Sequence, residues 1–220
     1  SGWQAGVACV ATFGGASWGP NMNWAQMEEL WAAGWDIFNH SYTHPNLNCT
    51  NFVSEFSQND AAMQPHFPGY NITHIVYPFE DTTCTSCTGF PPSYLLSGER
   101  SVGVAYTYVD VPITDAYKIN RTGEYGTDLS SCKADADAAA ANPRSTWLIK
   151  ITHHVYPGNT LGSDTLYSTT HDALSGLYDY LYNNYGAGGN NSMWFAPAGE
   201  VMDYILTRDN AIVTTCIIGT

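Results

Sequence analysis

The segment Gly34-Trp35-Asp36-Ile37-Phe38-Asn39-His40-Ser41-Tyr42-Thr43-His44-Pro45-Asn46-Leu47 joins a short apolar run to two histidines. Trp35 to Asn39 predicts a strand, and the imidazoles of His40 and His44 follow it at once, four residues apart. Neutral imidazole is a good zinc ligand, and two His with a carboxylate leave one position open for water. Pro45 disfavours helical backbone at His44, so the pair is expected in a tight turn at the strand end. The spacing alone also suits two loop histidines with ordinary hydrogen bonds.

On either side, strand-like and helix-like segments alternate. Gly6 to Phe13 reads as a buried strand. Asn23 to Ala33 reads as a helix, with Asn23 and Gln26 in capping-box positions, Trp24, Met27 and Trp31 on one face, and Gly34 as its stop. Phe52 to Gln64 predicts a helix, and His74 to Tyr77 a strand closed by Pro78. Asp81 to Pro92 reads as a loop, Pro92 to Leu96 as a short helix, and Ser101 to Val109 as a strand with Val102, Val104 and Tyr106 alternating. Asp110 to Ser131 is loop-like. Then come a helix at Ala134 to Ala141, a strand at Thr146 to Thr152, and the clearest helix, Ser168 to Asn183. Met193 to Ala196, a helix near Glu200 to Leu206, and Ala211 to Ile217 complete the pattern. About seven strands in such alternation imply a mostly parallel sheet in one domain over residues 1–220, as a distorted (β/α) barrel whose chemistry sits at the C-terminal strand ends.

Composition bounds the function. Hydrophobic residues make up 44% of the 220, enough for a core, but charged residues only 12%. The net charge of −13 argues against nucleic acid, whose phosphates need clustered cations, and against anionic lipid. No run approaches the roughly 18 apolar residues of a spanning helix, so no membrane span is expected. The six cysteines, the scarcity of Lys, and the sequons at Asn48, Asn71, Asn120 and Asn190 favour a secreted glycoprotein, extracellular or in a cell wall. A fifth sequon, at Asn39, falls in the two-histidine loop and is expected to stay unused. Cys84 and Cys87 read as one or two disulfide half-bonds in a surface loop rather than a redox pair or a zinc knuckle.

The stretch from Gly34 to Leu47 closely resembles the second motif of the polysaccharide deacetylase (NodB-like) family, Gly-x-Glu-Ile-x-Asn-His-Thr/Ser-x-x-His-x-x-Leu. Val10-Ala11-Thr12-Phe13, 28 residues before His40, resembles that family's second strand. Val76-Tyr77-Pro78-Phe79 resembles its aromatic-Pro-aromatic turn. Trp147 to His154 resembles its late strand ending in a catalytic His, and Trp194-Phe195-Ala196-Pro197 its last strand. The resemblance implies a distorted (β/α)7-type barrel and a metal-dependent hydrolase that removes acetyl groups from chitin-like or other N- or O-acetylated polysaccharide. It implies a divalent metal, zinc above all, on His40 and His44. It makes His153 the proton donor, with His154 as the fallback, and puts Tyr77, Pro78, Phe79 and Trp194 at the substrate.

The family's first motif, Thr-Phe-Asp-Asp-Gly, has no counterpart; Thr12-Phe13-Gly14-Gly15 mimics it without the acids. The sequence is therefore expected to start after the first strand. Three readings stay open. The chain is a fragment; or a carboxylate substitutes, with Glu80 and Asp81 better placed than Asp36; or the protein is a non-catalytic relative that binds glycan or self-assembles. Arg100 resembles an Arg-Ser-Val-Gly step of the family and is a candidate cation beside a catalytic acid; a surface salt bridge is the plainer alternative. A barrel short of one strand exposes an edge, so a homo-oligomer or filament by strand addition is a further expectation.

Overall fold

The computed structural model describes residues 3–14, 21–101, 109–163 and 165–211. β1 (Gly6–Cys9) runs into one helical turn, α1 (Ala11–Gly14), and α2 (Trp24–Ala32) follows. Next come β2 (Asp36–Asn39), α3 (Phe52–Met63) and β3 (His74–Val76). Two 3-10 turns, Pro78–Glu80 and Thr83–Ser86, lead to β4 (Ser97–Ser101), β5 (Val109–Asp110) and β6 (Ile119–Gly123). α4 (Ser130–Ala141) precedes β7 (Thr146–Trp147), β8 (Lys150–Ile151) and β9 (His154–Tyr156). β10 (Ser168–Thr170), α5 (His171–Tyr185) and α6 (Ala198–Asn210) close the described chain.

Six parallel strands in the order β1-β2-β3-β4-β6-β8 curl into a half-barrel, the distorted α/β barrel architecture expected from the sequence. Among the described residues β1 is an edge strand, paired with β2 from Gly6↔Asp36 to Cys9↔Asn39. β9 and β10 pair in parallel, and β5 pairs with β7 antiparallel, both outside the main sheet.

Strand alternation gives the sheet two different faces. On the convex face Val7, Cys9 and Ile37 meet Met27, Met63 and Phe67 of the helical layer. There α2 is held by a reciprocal capping box, Gln26 N on Asn23 Oδ1 (3.0 Å) and Asn23 N on Gln26 Oε1 (2.9 Å), as the sequence predicts. Phe52, Phe56, Ile75, Tyr77 and Leu95 form a neighbouring core cluster. The concave face carries buried polar groups beside Ile119: His74 of β3 bonds Ser97 of β4, and Glu99 of β4 acts electrostatically on Arg121 of β6.

That polar face explains the main departures from expectation. β4 occupies Ser97–Ser101, before the predicted Ser101–Val109; residues 102–108 lie outside the described residues. β6 lies inside the segment read as a loop, and no helix forms over Pro92–Leu96. Ser-Gly-Glu-Arg-Ser and Ile-Asn-Arg-Thr-Gly lack apolar alternation because their inward positions include the buried Glu99 and Arg121 beside the apolar Ile119. The first strand is shorter than predicted, since Ala11–Gly14 turns helical, and the predicted Thr146–Thr152 strand splits into β7 and β8. Met193 to Ala196 is extended but unpaired, and residues 212–217 of the last predicted strand lie outside the described residues.

Among the described residues one disulfide, Cys49–Cys87, ties the end of the two-histidine loop to the segment after β3. Closing a loop of 38 residues is worth about 4 kcal/mol if it acts by chain entropy. Cys84 is not its partner: it is buried and free, and burial pushes its thiol up to about 12. Cys9 and Cys132 are also buried and free. Among the described residues no helix is long and apolar enough to cross a membrane.

Candidate functional site

His40 follows the C-terminal end of β2 and His44 lies in the turn beyond it. His40 Nδ1 lies 2.6 Å from the Val76 carbonyl oxygen at the end of β3. A carbonyl only accepts, so Nδ1 carries the hydrogen and Nε2 keeps its lone pair. That Nε2 lies 3.2 Å from His44 Nε2. Burial pushes the His40 imidazole down to about 3, and burial lowers that of His44 as well. Both rings are thus held as neutral donors aimed at one point, which suits a divalent metal in chemistry and orientation. Among the described residues no third His, Cys, Asp or Glu completes a metal-binding group.

The turn is fixed from three sides. Glu55 of α3 accepts from the backbone N–H groups of Tyr42 (2.9 Å) and Thr43 (2.8 Å) and from the Thr43 hydroxyl (2.8 Å). Thr12 Oγ1 of α1 donates to the Tyr42 carbonyl (2.9 Å). Behind the turn, the fully buried Asn59 donates to Cys9 O and Asn39 Oδ1 and accepts from Ala11 N, while Asn39 Oδ1 also takes Ser41 N. Asn39, the fifth sequon, is buried in this network.

Backbone strain marks the same place. Ser41, His44, Phe79 and Glu80 all have positive φ, between 52° and 66°, in the loops after β2 and β3. Such backbone costs on the order of 1–3 kcal/mol per residue and persists where the surroundings over-determine it. At the Ser41–His44 turn, Glu55 and the Asn39–Asn59 network supply that constraint.

The other sequence candidates separate. His153, in the turn after β8, is exposed, packs near Tyr167 (5.2 Å) and Tyr125 (6.4 Å), and its charge is felt by both His40 and His44. His154 opens β9, its ring near Tyr156 (6.2 Å). Phe79 stands 62% exposed with its ring 4.6 Å from His44, and Phe13 lies 6.1 Å from the same imidazole. Tyr77 is fully buried in the convex-side core, its hydroxyl donating to Tyr117 O (2.9 Å), and Pro78 is buried too. Neither Tyr77 nor Pro78 lies where a substrate reaches. Trp194 packs against Tyr204 of α6 (5.4 Å), away from the histidines.

Arg100 lies on the convex side of β4, its Nε donating to Asn120 Oδ1 (3.2 Å). The cation beneath the histidines is Arg121 of β6, whose charge helps lower the His40 pKa. Arg121 is buried, with Nε lacking a hydrogen-bond partner, and Glu99 and Glu80 both act on it electrostatically. Burial raises the Glu99 carboxyl, and the Arg121 charge opposes that rise. Of the candidate acids, Glu80 faces this cluster, Asp81 is taken by Thr83 (2.9 Å to its N), and Asp36 sits at the opposite strand end, accepting from Gly199 N (2.9 Å).

Glu55, Asn59, Glu99, Arg121, Tyr125 and Tyr167 were not singled out from sequence. For Glu55 and Asn59 no motif signals the role, since it depends on which loop α3 packs behind. For Arg121 the missing signal was the strand itself.

Residues 8–88 match the family model for polysaccharide deacetylase. The fold is similar to the Xyl-CE4 domain of a multidomain xylanase from the hindgut metagenome of Trinervitermes trinervoides. That match has a TM-score of 0.53 at 13% identity, covering 92% of this chain and 78% of the other. No curated protein gives a significant match. The likeness to NodB-like deacetylases drawn from the sequence is borne out by the family match and the shared fold.

Proposed function

We propose that this deacetylase-like chain hydrolyses acetyl groups from an acetylated polysaccharide with the help of a divalent metal held on His40 and His44. The observation that carries this reading is the convergence of two neutral Nε2 atoms, one with its tautomer fixed by Val76 O. When bound, a divalent metal such as zinc lowers the pKa of water and polarises the acetyl carbonyl. Glu80 is the carboxylate at this rim suited to accept the water proton. Arg121 lies within electrostatic reach of both Glu80 and Glu99. His153, exposed at the mouth, is placed to give a proton to the leaving sugar nitrogen or oxygen. Phe79 and Tyr167 flank it as exposed platforms, 62% and 52% accessible, on which a sugar ring can stack.

Secretion and glycosylation accompany this reading. Asn48, Asn71 and Asn190 are exposed and suited to carry glycans, whereas Asn120 lies within β6 with its Oδ1 on Arg100. A second reading, a non-catalytic glycan binder on the same fold, is favoured by the absence of a third metal donor among the described residues. Self-assembly would use the outer edge of β1.

The test is acetate release from acetylated xylan and chitin oligomers, with zinc or cobalt added, together with bound metal per chain. The expected result is metal-dependent release that His40→Ala abolishes along with metal binding, and that His153→Ala lowers by about 10²–10⁴ with metal retained. Release that persists unchanged in His40→Ala would overturn the assignment. Metal-independent glycan binding without release would favour the second reading.

A further inference from the structure

A second cleft lies at the other end of the strands. Its wall includes Trp3 and Gln4, which precede β1, and the segment Asn191 to Phe195. Gln4 Nε2 donates to the carbonyl of Ala33 (2.8 Å), just ahead of β2, which fixes this wall at the N-terminal strand ends. His40 and His44 stand beyond the C-terminal end of the same β2. The two features therefore occupy opposite rims of the half-barrel.

The cleft has a volume of about 670 Å³, within the roughly 300–1,000 Å³ of ligand sites. Its lining is unusual for this chain. Among the described residues none that lines it is charged, although the protein as a whole carries −13. Rings and amides take their place. Trp194 is 54% exposed and Tyr182 45%, so both present ring faces to solvent. Trp3 is pre-set, stacked on Tyr178 at 5.4 Å with 12° between planes and tilted against Phe195 at 4.5 Å. Gly186 in the lining lets these rings approach: a Cβ there would sit 3.4 Å from the Phe195 ring. Gln4 and Asn191 add amide donors and acceptors.

Rigid aromatic faces with amide groups and no charge match an uncharged pyranose chain. Its axial C–H faces stack on rings, and its hydroxyls both donate and accept. An anionic or cationic ligand would find no counter-charge here, and a cofactor phosphate no cation. We propose that this rim is a non-catalytic binding site for a neutral glycan chain, distinct from the histidine site. It would hold polymer against the protein whatever happens at the other rim.

The experiment is calorimetric titration of the whole chain with chitohexaose, xylohexaose and cellohexaose, alongside light scattering. Expected is binding of at least one hexasaccharide that survives His40→Ala and weakens about tenfold in Trp194→Ala and in Tyr182→Ala. Both side chains are largely exposed, so both variants should fold; the far-ultraviolet spectrum checks this. Three results overturn the proposal: no hexasaccharide binds, binding is unchanged in both aromatic variants, or binding is lost in His40→Ala. Self-association that Trp194→Ala abolishes, without saccharide binding, would assign the cleft to a second copy and overturn it as well. Acetate release plays no part in the readout, so failure here and failure of the deacetylase reading are separable.

Discussion

The two rims of the half-barrel are made of different chemistry. At the C-terminal rim, His40, His44, His153, Glu80 and Arg121 crowd together over strained loops. At the N-terminal rim, Trp3, Tyr182, Trp194 and Phe195 meet amides, without a charge. The first arrangement is costly to the fold, because buried ionisable groups and positive φ at non-glycine residues both oppose folding. The second costs less, because its rings are half-exposed and only Asn191 there has positive φ among the described non-glycine residues. A region that spends stability on charge is suited to react, and one that spends none is suited to hold.

On this contrast, the largest stability loss should come from the buried charges of Glu99 and Arg121, which act on each other across the strands. Glu99→Ala leaves the Arg121 guanidinium buried without its carboxylate and should cost about 3–5 kcal/mol in denaturant unfolding. Trp194→Ala at the other rim should stay within about 0.5 kcal/mol. Equal losses would erase the distinction.

Acid sensitivity sharpens it next. Folded His40 stays neutral down to about 3, while the unfolded chain takes up that proton near the ordinary value of 6.5. Between those values the unfolded state binds more protons, so unfolding free energy falls as pH drops from 6.5 towards 3. His40→Gln should flatten that slope, worth at most about 5 kcal/mol. Glu124 acts in the opposite sense: burial raises its carboxyl from 4.5 to about 7, so its contribution is lost as pH rises through that window. Equilibrium unfolding across pH for wild type, His40→Gln and Glu124→Gln separates the two. An unchanged slope in His40→Gln would show that the C-terminal rim is not the acid-sensitive one.

A smaller effect is expected at Glu55, a positioning residue. Glu55→Gln keeps the side-chain shape but weakens three hydrogen bonds to the two-histidine turn. Metal affinity should fall about 10–100-fold, with zinc titration as the readout. Loss of stability at unchanged metal affinity would make Glu55 merely structural. The smallest effect belongs to Phe79→Ala, which should raise KM for a polymeric substrate by about 0.5–1.5 kcal/mol and leave kcat alone. A fall in kcat instead would mean that Phe79 orders His44.

Legibility in the sequence followed how apolar each segment's inward face is. α2 and β2 appear close to where patterning puts them, because Trp24, Met27 and Ile37 feed an apolar cluster. β4 and β6 escaped, because the buried Glu99 and Arg121 interrupt their apolar pattern, and periodicity scales register only hydrophobicity. For the same reason Arg100 drew attention and Arg121 did not: alternation along β4 turns Arg100 outward, while the adjacent strand turns Arg121 in.

The amino-acid order by itself established the alternating α/β class, the secreted-type composition, and the two-histidine turn after β2, since each rests on local pattern or spacing. Folding in three dimensions settled which carboxylate, cation and aromatic share a rim. It buried Tyr77, set Glu80 and Arg121 under the histidines, and carried Trp194 to the other end. Those are contacts between distant segments, and the geometry of a curled sheet, not the chain's spacing, determines them.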